Sequence, residues 1–156
     1  MNGTDRDRRA RQAVTLLAWL WAGLVLGVSF VATPVKFLAP SLSLADALAV
    51  GRVTFEALKW IECVAVVALA ATVWITTPRR RELALLGVIV LILLCQYAWM
   101  LPILDARVQT IIDGEDVPAS SLHWIYTVLE FLKVVLLVVI GLTGYGQAVG
   151  LGGRDR

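Results

Sequence analysis

Histidine and cysteine are nearly missing from this chain, which has one His, His123, and two cysteines, Cys63 and Cys95, both inside apolar runs. A lone imidazole excludes bis-histidine haem ligation and histidine-cluster metal chemistry within one chain. Two isolated cysteines exclude a disulfide framework and a CxxC site. They read as small buried apolar side chains rather than as a soft-metal pair. Charge is also scarce: Asp, Glu, Lys and Arg make up 17% of the chain, against about 25% in soluble domains. The net charge is only +2, and no basic patch with interleaved aromatics appears, so nucleic acid is not an expected partner. The sequence has no nucleophile–base pair, phosphate loop or metalloprotease motif. The acidic run Asp113-Gly-Glu-Asp116 lacks EF-hand spacing and reads as a solvated loop. No catalytic residue, metal or cofactor is expected, and an enzyme is the least favoured class.

What remains is apolar. Hydrophobic residues make up 59% of the 156 positions, well above the soluble average, and this points to a multi-pass membrane protein. The expected fold class is all-α: an integral membrane four-helix bundle in a lipid bilayer. Ala13 to Ala32 is charge-free for 20 residues, enough at about 1.5 Å per residue to cross a core of roughly 30 Å. It is too long for a signal-peptide core and predicts a retained first helix. The expected spans are 13–33, 53–76, 82–104 and 121–143. They give a membrane domain over 13–143, a basic mobile tail over 1–12 and a glycine-rich, frayed tail over 144–156. Pro34 and Pro40 should break or kink the first helix. A short interfacial segment is then expected over 42–50, and a long connection over 105–121. Gly23 and Gly27 form a GxxxG pair, read as close packing inside the bundle in preference to homodimerisation.

Lysine and arginine set the orientation. With the N-terminus inside, the cytoplasmic segments hold nine: Arg6, Arg8, Arg9, Arg11, Arg79, Arg80, Arg81, Arg154 and Arg156. The outer segments hold three, Lys36, Arg52 and Arg107. Both termini are therefore expected in the cytoplasm, in a bacterial inner (plasma) membrane. Trp74 and Tyr145 fall near the inner interface and Trp99 and Trp124 near the outer one, as an aromatic belt requires. Pro34 to Glu62 and Pro102 to Glu130 are both 28 residues. This spacing admits a parallel repeat of two two-helix halves.

Five charges are expected inside the membrane. The charge-free part of the second helix, Cys63 to Ile75, has 13 residues, roughly 20 Å, and falls short of the core thickness. The span must take in Glu62 and Lys59, with Glu56 at its edge. Successive steps of three place these on one stripe about 120° wide. The fourth helix adds Glu130 and Lys133. A charge at the bilayer centre costs at least about 2.5 kcal/mol, so the five should face one another. Lys59 with Glu62, and Glu130 with Lys133, can pair along each helix or across helices, and Arg52 is the expected partner of Glu56. His123 is read as a helix-mouth cap, and Gln96 and Tyr97 as interhelical hydrogen-bonders.

Pro34-Val-Lys-Phe37 after the first helix, Pro102 after the third, and His123 seven residues before a polar position in the fourth carry a resemblance. With them the chain resembles the TMEM205-like (DUF4149) group of small four-helix membrane proteins. Glu130 stands where that pattern often has Asn. The resemblance covers most of residues 20–142. It implies a multi-pass membrane protein with no established catalytic activity, and it carries over no catalytic residue.

Two functions fit the residues. In one, the buried Glu/Lys cluster supports passage of protons, small ions or small solutes, and so thin a bundle would act as a homo-oligomer. In the other, the cluster is a structural clamp in an accessory or assembly subunit that docks a larger membrane-protein partner through the glycine face of the first helix.

Overall fold

The computed structural model describes residues 3–76, 78–118 and 120–149. Among these there is no strand. Four long helices carry the fold: α1 (Asp5–Leu38), α2 (Leu44–Ile75), α3 (Arg80–Ile112) and α4 (Leu122–Ala148). Each is long and apolar enough to cross a membrane. At about 1.5 Å per residue each also exceeds a core of roughly 30 Å. The connections after Leu38 and Ile112 define a loop end of the bundle, and Asp5, Ile75 and Ala148 define a termini end.

Of the two prolines expected to break or kink the first helix, Pro34 does not end it, and the helix stops at Leu38, just before Pro40. α1 and α3 each run through their proline by way of a π turn, Leu26–Ala32 before Pro34 and Cys95–Met100 before Pro102. A proline ring clashes with the carbonyl four residues back. One wider turn moves that carbonyl aside without ending the helix. In α1 the Thr33 hydroxyl also donates to the Val28 carbonyl at 2.8 Å.

The short segment expected over 42–50 is instead the start of α2. Ser43 caps it: its hydroxyl accepts from the Asp46 amide at 3.1 Å, and the Asp46 carboxylate accepts from the Ser43 amide at 3.3 Å. This reciprocal box satisfies two otherwise unpaired donors and is worth about 1 kcal/mol. The helix then meets no breaker before Ile75. The connection expected over 105–121 is likewise helical as far as Ile112. It turns at Gly114, whose φ of 83° suits glycine. Residues 1–12 were expected as a mobile tail, but helical backbone already begins at Gly3, two residues ahead of the α1 span, and runs through this segment. Its Arg11 is held by the Thr76 carbonyl at 2.9 Å and the Glu82 carboxylate at 3.7 Å. At the other end α4 continues through Gly144 and Gly146 to Ala148. The remainder of that tail, with Arg154 and Arg156, lies outside the described residues.

α1 packs against α2 and, most closely, α4; α3 closes the bundle against α4 and the loop end of α2. The apolar core fills the termini half, with Trp21, Val25, Leu69, Ile89, Leu137 and Ile140 at its centre. Residues such as Leu20, Val64, Val67, Leu91 and Val128 point outward, as lipid-facing positions do.

The close approach of helices is not made by the GxxxG pair. A Cβ on Gly23 or Gly27 would meet nothing within 4 Å, so this face points away from the bundle. Gly141 and Gly144 of α4 admit α1 instead. The Thr15 hydroxyl bonds the Gly141 carbonyl at 3.2 Å. A Cβ on Gly144 would lie 2.8 Å from the Thr15 hydroxyl and 3.3 Å from the Arg11 carbonyl. Because one of these neighbours is backbone, Gly144→Ala is expected to cost about 1–3 kcal/mol, read as a lower unfolding midpoint in detergent. Gly23→Ala should leave that midpoint unchanged.

Burial repeats along the chain with the spacing of the two prolines. Ala18 and Leu86, Trp21 and Ile89, Val25 and Leu93, Leu58 and Tyr126, Glu62 and Glu130, and Leu69 and Leu137 are all buried, and each pair is separated by the 68 residues that separate Pro34 from Pro102. Helix, π turn, proline and a glutamate-bearing helix thus recur in the same order.

Candidate functional site

Above the apolar core, toward the loop end, the four helices converge on Lys133. Its side chain is fully buried, as are those of Glu62, Glu130 and Gln96. The ammonium has three protons and three acceptors: Glu62 at 2.8 Å, Glu130 at 2.8 Å and the Gln96 side-chain carbonyl at 3.2 Å. The Glu62 carboxylate also accepts from the Trp21 indole at 2.7 Å and from the Tyr97 hydroxyl. Glu130 also accepts from the Gln96 amide at 2.9 Å and the Ser29 hydroxyl at 3.1 Å.

Every helix contributes, and the contributions cross over. Ser29 lies five residues before Pro34, and Tyr97 five before Pro102. Both sit within π turns. Ser29 donates to the glutamate of the second half, and Tyr97 to the glutamate of the first. The π turns that accommodate the prolines therefore also aim the cluster's donors.

The structure unites Glu62, Glu130 and Lys133, joins Gln96 and Tyr97 to them, and sets Glu56 and Lys59 apart. Lys59 reaches Glu56 at 2.6 Å, and the Trp60 indole donates to Glu56 at 3.0 Å. The Glu56 side chain is 48% exposed. The expected Lys59–Glu62 pair is absent because the helical stripe is wider than the buried face: a drift of about 120° from residue 62 to residue 56 carries Glu56 out of the interior. Arg52 does not pair with Glu56 either; it donates to the Gln109 side chain at 2.6 Å. The buried group thus holds two carboxylates and one ammonium, and the outer pair is neutral by itself.

Trp21 and Ser29 escaped the sequence reading. An indole in mid-span needs a hydrogen-bond partner, and that was the available signal for Trp21. For Ser29 the signal was its shared spacing with Tyr97 before a proline. Trp21→Phe removes one of Glu62's donors and is expected to cost about 1–3 kcal/mol. The loss would appear as a lower unfolding midpoint in detergent with helix content retained.

Two cavities lead from the loop end toward the cluster. The larger, about 260 Å³, lies among α1, α2, α3 and α4, with Lys36, Arg52, Asp105 and His123 in its wall. The smaller, about 30 Å³, shares Thr33, Phe55, His123 and Tyr126 with the first and ends on Ser29, Thr127 and Glu130. Its size and its hydroxyl and carboxylate lining suit about one water molecule. His123 is therefore a wall residue of both cavities. Toward the termini end the cluster meets the apolar core. Beyond that core, the Glu82 carboxylate ties Arg11 at 3.7 Å to the Gln147 amide at 2.8 Å and the Arg79 backbone amide at 3.1 Å. Cavities open on the loop side, and an apolar layer with a polar latch lies on the other. Comparison with family models, with curated proteins and with solved structures yields no match.

Proposed function

We propose that this protein passes protons or small cations across its membrane, with Glu62, Lys133 and Glu130 as the central site. The observation that carries this reading is the charge count in the interior: two carboxylates share one ammonium, all three fully buried. A clamp needs equal numbers of each sign, because an uncompensated buried charge is strongly destabilising. The extra acid gives the cluster a place for one exchangeable proton or cation. The cavities supply the route to it, since the smaller one touches Glu130. On this reading the apolar core on the termini side would have to open for passage.

The arginine distribution supports a bacterial inner membrane with cytoplasmic termini and an outward loop end. Kinship with the TMEM205-like group fits the same four helices. A homo-oligomer remains the expected working form of so thin a bundle. The test is flux into proteoliposomes, wild type against Glu130→Gln. The clamp in an accessory subunit is the second reading, favoured by the apolar layer between cluster and termini end. Unchanged flux in Glu130→Gln, or stoichiometric co-purification with a larger membrane protein and no flux, would select it.

A further inference from the structure

The loop-end cavity of about 260 Å³ holds two charges, Lys36 and Asp105, that ion passage does not use. We infer that it binds a small zwitterion bearing an apolar group, with the ligand's anion on Lys36 and its ammonium on Asp105. Lys36 and Asp105 both line the cavity. Neither side chain lies within hydrogen-bonding or ion-pairing distance of a described residue. Arg52, in the same wall, is engaged by Gln109 at 2.6 Å. Arg52 and Lys59 attract Asp105 and Glu56 repels it, all through space. The cavity therefore presents one uncommitted cation and one uncommitted anion that do not reach each other. A ligand carrying both signs completes both; a singly charged one completes only one.

Apart from Thr33, Arg52 and His123, the rest of the wall is apolar and aromatic. Phe55 and Tyr126 stand edge to face with centroids 5.8 Å apart, and Leu101 and Leu104 continue the surface. Aromatic faces also favour an ammonium group. Lys36 is held in position rather than free to swing: its Nζ lies 5.0 Å from the Phe37 ring centroid and rests where a Cβ on Gly51 would stand. Gly51 thus makes room for the ammonium. Counted from Ile75, about 20 residues of helix reach Phe55 and span the hydrocarbon core, so the cavity stands at headgroup level. A free amino acid and a zwitterionic lipid headgroup share the required chemistry. The site does not depend on the cluster passing ions.

The test is thermal unfolding of the full chain in detergent with added leucine and, separately, dihexanoyl-phosphatidylcholine. 4-Methylpentanoate and isopentylamine serve as the single-charge halves of leucine. The expected result is a concentration-dependent rise in midpoint with a zwitterion and a much smaller one with either half. A rise with leucine assigns the site to free solutes; a rise only with the phospholipid assigns it to a headgroup. Lys36→Gln and Asp105→Asn should each weaken binding about tenfold or more, the worth of one charge-assisted hydrogen bond. Gly51→Ala should do the same by displacing Lys36, with the ligand-free midpoint of each variant reporting its fold. No shift with either zwitterion, equal shifts with the half-ligands, or full binding by folded Lys36→Gln and Asp105→Asn would overturn the inference.

Discussion

Lys133→Met is expected to lose about 3–5 kcal/mol of stability, the cost of removing one partner from a buried ion group. Among the described residues the lysine is the sole cation touching Glu62 and Glu130. Methionine keeps most of the volume but leaves two fully buried carboxylates facing each other with no cation between them. Trp21, Tyr97, Ser29 and Gln96 would still donate to them, but these are neutral groups and do not cancel charge. The loss should be recovered by neutralising the acids. Adding Glu62→Gln and Glu130→Gln to Lys133→Met leaves no buried charge; each amide oxygen can still accept from Trp21 or Gln96, and each amide NH2 can donate to the Tyr97 or Ser29 hydroxyl in place of the lost carboxylate oxygen. The triple variant is expected within about 1–2 kcal/mol of wild type, since replacing a whole buried ion group is often neutral. Unfolding in detergent, followed by circular dichroism, separates the two. A Lys133→Met protein as stable as wild type would mean that the acids are not enclosed together.

Glu130→Gln is expected to reduce ion flux to the level of protein-free vesicles while keeping the fold. Glutamine is nearly isosteric, its side-chain carbonyl still accepts from Lys133, and the cluster becomes one acid with one base. The fold survives because the pair is balanced. Flux stops because no exchangeable proton or cation site is left beside the smaller cavity. Glu62→Gln should also stop flux, though Glu62 is not in that cavity wall, because it too cancels the excess acid. Glu56→Gln should leave flux intact, since Glu56 belongs to the outward pair with Lys59. Dye-reported proton uptake into reconstituted vesicles under an imposed gradient distinguishes the three. Equal flux in all of them would leave the buried cluster a structural role only.

Much of the helical frame was legible in the sequence. Charge-free runs at membrane length give the first and third helices, and shorter apolar runs extended through Glu62 and through Glu130 and Lys133 give the second and fourth, because hydrocarbon leaves backbone groups no partner outside the chain. Glu130 with Lys133 was legible as a local pair one turn apart, and Gln96 and Tyr97 as polar groups that must find partners across helices. Three features were not. Proline predicts a break from local sterics, yet a π turn absorbs it, and whether it does so depends on packing on both sides. The Gly23–Gly27 pair, four residues apart, and Gly141 with Gly144, three apart, each put two glycines on one helix face; only the helix arrangement decides which receives a neighbour. Glu56, Lys59 and Glu62 share one sequence pattern, but the angular width of the buried face, set by three other helices, admits only Glu62. The spacing from each proline to its glutamate was the weakest signal read, and the Ser29 and Tyr97 crossover gives it structural content.

One-sided access to the cluster can be measured through Leu48, which lines the larger cavity. Leu48→Cys, with Cys63 and Cys95 replaced by alanine, would be reconstituted in sealed vesicles and treated with a membrane-impermeant thiol reagent on one face at a time. Reagent at the loop end should fill the cavity and stop proton uptake, and reagent at the termini end should leave it unchanged. Proton uptake that persists after complete modification from the loop end would contradict a route from that cavity to Glu130.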